Sequence, residues 1–258
     1  MCDQILVERR GPVLGVTFNR PEARNSMTLA MYERLYALCS EIDDDPAIRC
    51  VVFTGAGDRA FVAGTDINEF KAFSTAVDVL NYEERMDKVF TRLEDVKVPT
   101  IAAIRGACTG GGFGIASTCD LRICGPSARF GFPVARTLGN CLSVNNYARL
   151  ERLLGTTAVK EMIYTAGLFD AQRMYGLGFV NEVTSKDGDV AARAEAVATT
   201  IAGNAPLTIA TTKEALRRIV RGTTGDDHDL VERCYLSEDF KEGMTAFLEK
   251  RPPNWKGR

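Results

Sequence analysis

Apolar runs and apolar stripes alternate along the first half of the chain. Residues 13–18 are almost unbroken in apolar side chains; with 5–9 and the Gly11-Pro12 pair between them they predict a β-hairpin. Leu29, Tyr32, Leu35, Tyr36, Cys39 and Ile42 recur at helical spacing within 28–42, and Asp43-Asp-Asp-Pro46 ends that helix. Residues 50–54 form a short apolar run closed by Gly55-Ala-Gly57, a strand followed by a turn. A helix is expected near 78–96, stopped before Pro99, and a buried strand over 100–104. This alternation predicts an α/β chain of βαβ units with right-handed crossovers. After about Gly139 strands largely give way to helices, expected at 144–154, 158–166, 171–175, 190–202, 206–221 and 225–240.

The strand at 100–104 leads into Gly110-Gly-Gly112 and then into small and apolar residues that suit a tightly packed helix. A strand, a glycine turn and a helix start leave N–H groups with no intrahelical partner, at the positive end of the helix dipole. Such a place can hold a phosphate or the oxyanion that develops on a reacting carbonyl. Close backbone packing accounts for the same glycines equally well. The spacing matches neither G-x-x-x-x-G-K-[ST] nor a G-x-G-x-x-G between strand and helix.

Composition narrows the classes. With 258 residues, 45% of them hydrophobic, the chain can bury one large core or two unequal ones. A net charge of −2 gives no overall attraction to nucleic acid, and no run approaches the ~20 apolar residues of a membrane span. The start, Met-Cys-Asp-Gln, lacks the basic and apolar regions of a signal peptide. Eight scattered cysteines without a C-x-x-C pair, and a single histidine, argue against a zinc site; they read as small core residues of a reduced, cytoplasmic protein. No metal or separate cofactor is expected.

Taken with a second glycine site, Ala63-Gly-Thr-Asp-Ile67, the chain resembles the crotonase, or enoyl-CoA hydratase/isomerase, superfamily. The resemblance rests on Asn19-Arg-Pro-Glu-Ala-Arg-Asn25, Ala63-Gly-Thr-Asp-Ile67, the stretch 106–112, Cys119-Asp120, Arg129-Phe-Gly131 and Glu242-Gly-Met-Thr-Ala-Phe-Leu-Glu-Lys-Arg251. These fall in family order over nearly the whole chain. It implies a spiral of ββα units at 1–195, carrying an acyl-CoA site, and a helical oligomerisation region at 196–258 that builds a homotrimer or a dimer of trimers. It also implies an oxyanion hole made by the N–H groups of Thr65 and Gly111, which would hold a thioester oxygen as an enolate forms. Thr65 stands where Ala or Gly is more usual. CoA contacts are implied for Ala63, Thr65, Asp66, Ile67, Asn68 and Gly111, with Phe247 and Lys250 reaching CoA from the C-terminal tail, often of a neighbouring subunit. Arg24 is a candidate for a basic role near Glu22, a position often basic in relatives.

The chain departs from the family where hydratases carry two glutamates. The first position is Gly114, and the second falls at Val134 or Ala135. None of these can transfer a proton. Arg136, beside the second position, is a candidate partner for a substrate carboxylate. Cys141, Ser143, Asn145 and Asn146 are candidates to orient a water or to cap a helix, Tyr147 to donate a proton. Asp66 and Glu69 are the acids nearest Thr65, and His228 suits a surface or capping place. Three readings stay open: an acyl-CoA enzyme working through a thioester enolate, a lyase decarboxylating a malonyl-type thioester among them; hydration or isomerisation with an unrecognised acid; and a non-catalytic acyl-CoA-binding protein.

Overall fold

The computed structural model describes residues 4–258, so Cys2 lies outside the described residues. β1 (Ile5–Arg10) and β2 (Val13–Phe18) form the expected hairpin, in a register that sets Ile5 against Phe18 and Arg10 against Val13. After α1 (Leu29–Asp44) the chain falls into a repeating order of two strands and a helix. β3 (Cys50–Gly55) and β4 (Ala60–Val62) precede α2 (Ala76–Glu94); β5 (Thr100–Ile104) and β6 (Ala107–Thr109) precede α3 (Gly111–Thr118); β7 (Leu121–Cys124) and β8 (Arg129–Gly131) precede α4 (Val144–Leu154). Then come α5 (Thr156–Tyr164), β9 (Phe169–Asp170), α6 (Ala171–Gly176) and β10 (Glu182–Val183). Four helices end the chain: α7 (Val190–Ala202), α8 (Pro206–Val220), α9 (His228–Tyr235) and α10 (Glu238–Glu249).

The two strands of each repeat go to different sheets. One sheet runs β1-β2-β3-β5-β7-β10, parallel beyond the hairpin; the other runs β4-β6-β8-β9, with only β9 antiparallel. Apart from Thr54, Gly55 and Thr100, strands β3 and β5 are apolar because both of their faces are covered. Val51 and Phe53 face the main core with Tyr32, Phe113 and Phe130. Cys50, Val52, Ile101 and Ala103 face the other way, onto Val190, Ala194 and Ala198 of α7.

The structure moves several expected boundaries. The division between 195 and 196 falls inside α7, one continuous helix whose packing on the larger sheet ties it to the core. The helix expected over 225–240 is two, because Ser237 Oγ accepts from the Phe240 N–H and starts α10 afresh. Of the cysteines expected in the core, Cys39, Cys50, Cys108, Cys119 and Cys124 are buried, whereas Cys141 is exposed and Cys234 only half-buried. Among the described residues no helix is long and apolar enough to cross a membrane.

Candidate active site

Two turns meet at the wall of a cavity. The first, at 63–66, is laced to the segment after β2. Asn25, fully buried, donates to the carbonyls of Ala56 and Ala60 and accepts from the Arg20 N–H. Beside it, Arg24 O accepts from Ala63 N–H, Gly64 O from Met27 N–H, and Met27 O from Asp66 N–H. The N–H groups of Ala63 and Asp66 are thereby used, while that of Thr65 has no backbone partner among the described residues. The second turn is Gly110-Gly111. Gly110 has φ +53°, a conformation that favours glycine, and its N–H is bonded to Gly131 O. Gly111 is the first residue of α3, so its N–H is one of the helix's unpaired donors.

The turns touch. A Cβ on Gly110 would sit 3.3 Å from Gly64 Cα, and Thr109 Oγ1 donates to Ala63 O at 3.0 Å. A Cβ on Gly111 would overlap the Tyr32 hydroxyl, so this glycine is required by space. Thr65 and Gly111 both line a cavity of about 260 Å³ whose wall is mostly apolar, with Ile67, Phe70, Met86, Phe90 and Val134 prominent. Fixed N–H donors beside an apolar space stabilise a developing oxyanion more strongly than they would in water.

Thr65 has a second part to play. Its Oγ1 lies 3.0 Å from the Tyr32 hydroxyl and 2.9 Å from that of Tyr82, linking three hydroxyls along the wall. Burial pushes Tyr82 up to about 12 and Tyr32 well above the ordinary tyrosine range, so both stay neutral donors near neutral pH. Thr65→Val should therefore leave the buried Tyr32 hydroxyl short of a partner and cost about 1–3 kcal/mol in a urea melt. Thr65→Ser, which keeps the oxygen, should cost much less.

Asp66 is committed to the scaffold. Its carboxylate accepts from the Asn68 backbone and side chain and pairs with Arg20 at 2.9 Å; the Asn68 N–H first, then Arg20, holds it below the usual carboxylate range. Glu69 accepts from Leu29 N–H. Neither acid lines the cavity, and Asn68 does not either. Ala63, Thr65, Ile67 and Gly111 are brought together there. Arg24 serves through its carbonyl and is exposed. Arg136 closes a short 3-10 turn, is exposed and lies outside the lining; Phe247 and Lys250, on and after α10, are exposed and also outside it. Ser143 caps α4 and donates to Asp87, as Asn145 does, and Asn146 reaches both the cavity and Asp87. Tyr147 packs against the core, Cys141 is exposed, and His228 opens α9 on the surface.

The two positions expected to carry hydratase glutamates are not simply empty. The ring of Phe90 would stand 2.7 Å from a Cβ on Gly114, so α2 fills the space a side chain there would need. Val134 lines the cavity, and Ala135 is exposed. The sequence reading missed Glu83, the one carboxylate in the lining among the described residues. Burial first, and then Asp87 nearby, raises its proton affinity, opposed by a hydrogen bond from the Ser143 backbone. The available signal was helical spacing, since Glu83, Met86 and Phe90 follow one another at i, i+3 and i+7 on a stripe that is otherwise apolar.

The sequence and the fold have close counterparts. The sequence model of the enoyl-CoA hydratase/isomerase family matches residues 8–258. The chain is 35% identical to the short-chain-enoyl-CoA hydratase of Clostridium acetobutylicum, covering 96% of each protein. It is 31% identical to the crotonyl-CoA hydratase of Syntrophomonas wolfei, covering 98% of each. An enoyl-CoA hydratase/carnithine racemase from Magnetospirillum magneticum superposes with a TM-score of 0.94 at 31% identity, over 100% of this chain and 97% of the other. With a family model matched over residues 8–258 and relatives of this identity over nearly their whole length, the chain belongs to the enoyl-CoA hydratase/isomerase family.

Proposed function

We propose that the protein is an acyl-CoA enzyme that holds the thioester oxygen between the N–H groups of Thr65 and Gly111 and stabilises the enolate formed next to it. The observation that carries this reading is that these two N–H groups, on touching turns, are without backbone partners at the wall of an apolar cavity. A thioester has an acidic α-carbon, and its enolate is the high-energy species of most reactions there. Each fixed donor aimed at that oxygen contributes about 3 kcal/mol in other enzymes when tested by removal. The CoA moiety would run past Ile67 and meet Phe247 and Lys250 of a neighbouring copy. Phe247 is 84% exposed and Leu248 80%, which suits burial in a trimer or a pair of trimers.

Decarboxylation of a malonyl-type thioester is the weaker reading. Among the described residues no lysine, arginine or histidine lines the cavity to receive a second carboxylate, and Glu83 would repel one. The test of the main reading is calorimetric binding of crotonyl-CoA and butyryl-CoA, followed by mass spectrometry of butyryl-CoA recovered from D₂O. Binding with deuterium gained at the α-carbon is expected. Absence of binding to any acyl-CoA would overturn the reading.

A further inference from the structure

Two carboxylates, Glu83 and Asp87, stand one turn apart on α2, and they differ in what they are free to do. Asp87 accepts from Ser143 Oγ at 2.6 Å, Asn145 Nδ2 at 2.9 Å and Asn146 Nδ2 at 3.3 Å, a set that fastens α4 to α2. Glu83 has no side-chain partner among the described residues and lines the cavity with Tyr82, Met86 and Phe90 of its own helix. The same helix thus closes one route to acid–base chemistry, by filling the space at Gly114 with Phe90, and presents a carboxylate of its own.

We propose that Glu83 removes and returns a single proton of the bound thioester, so that the enzyme moves a double bond between the β,γ and α,β positions of an enoyl-CoA. The inference rests on the enolate reading above and names its proton carrier. In the forward step a Glu83 carboxylate oxygen takes the α-proton of a β,γ-enoyl thioester. The C–H electron pair becomes the α-carbon to carbonyl-carbon double bond, and the carbonyl pair moves onto the oxygen held by Thr65 and Gly111. In the return step the Glu83 O–H gives its proton to the γ-carbon. The β,γ pair forms the new C–H bond, the enolate pair becomes the α,β double bond, and the carbonyl reforms. One proton has moved between carbons two bonds apart, with no water or oxidant consumed. A single carboxylate suffices for this, whereas hydration must also activate and orient a water.

The surroundings suit the task. An apolar wall favours the neutral acid, so the carboxylate, once ionised, is a stronger base than an exposed glutamate. The other ionisable groups facing it are few. α2 itself supplies Asp87 and the Tyr82 hydroxyl, and α1 supplies the Tyr32 hydroxyl. α3 has no ionisable side chain, and Arg149 of α4 is engaged by Asn146 and Glu94. On the loop before α4, Arg136 and Cys141 are exposed and outside the lining.

The test uses the full chain and trans-3-hexenoyl-CoA, whose conversion to the conjugated 2-enoyl thioester is followed in the ultraviolet. Glu83→Gln should lower the rate about a hundred- to ten-thousandfold, while crotonyl-CoA binding by calorimetry stays within about threefold of the unmodified protein. Glu83→Asp should recover part of the loss. The unmodified rate should rise with pH through an apparent pKa above the ~4.3 of an ordinary glutamate, as expected of a base that must be ionised, and that limb should vanish in Glu83→Gln. Glu83→Gln isomerising at the unmodified rate, or an unmodified protein that binds crotonyl-CoA yet moves no double bond, would overturn the proposal. A protein that binds no acyl-CoA would instead overturn the enolate reading beneath it.

Discussion

Gly111→Pro, made together with Tyr32→Phe, is expected to lower turnover of an enoyl-CoA about a hundred- to thousandfold with the fold intact. Gly111 is the first residue of α3, where proline is tolerated because the N–H it removes has no helical partner. The second substitution makes room. A Cβ at 111 overlaps the Tyr32 hydroxyl, whereas the ring carbon that bears it lies 3.3 Å away. The paired variant therefore loses a donor without forcing a large repacking. Tyr32→Phe alone is the control, since Thr65 keeps its contact with Tyr82. Turnover by the paired variant equal to that of the control would mean that the Gly111 N–H does not act on the substrate.

The second large effect is on stability. Gly114→Glu places a carboxylate where the family resemblance implies a hydratase glutamate, and it is expected to destabilise the protein without creating hydratase activity. Phe90 is 4% exposed, and its ring already occupies the space the new side chain needs. Overpacking of this kind costs about 1–3 kcal/mol, and an unpaired buried carboxyl adds to it. Phe90→Ala alone should cost about 3–5 kcal/mol through the void it leaves. Combined, the substitutions should cost less than their sum, because each relieves the other. Urea melts of the four proteins measure that coupling, and crotonyl-CoA hydration should stay slow in all of them. Strict additivity, or Gly114→Glu as stable as the unmodified chain, would place Phe90 elsewhere.

What the sequence made legible follows from how each feature is written. Strands such as β3 and β5 stand out because both faces are buried and the apolar run is unbroken. The Gly110-Gly111 turn stands out because Gly110 needs a positive φ and Gly111 has no room for a Cβ. The smaller sheet did not, since β4, β6 and β8 have three residues each and β9 two, too few for any period to emerge. The break between α9 and α10 depends on one serine hydroxyl, which resembles any other polar residue on a helical face. Glu83 was hidden for a different reason. It sits in Asn81-Tyr-Glu-Glu-Arg85, a polar stretch that reads as a solvated face, and only the packing of α2 beside α3 carries it to the glycine turns.

The proposed polarisation of the thioester carbonyl by the Thr65 and Gly111 N–H groups is open to direct observation. Crotonyl-CoA labelled with ¹³C at the carbonyl, bound to the protein, gives an isotope-edited infrared band for that one group. Two hydrogen bonds to the oxygen should move the band to clearly lower frequency than in water, and the paired Gly111→Pro and Tyr32→Phe variant should return it most of the way. A bound thioester whose carbonyl band stays at its solution frequency would contradict an oxyanion hole at Thr65 and Gly111.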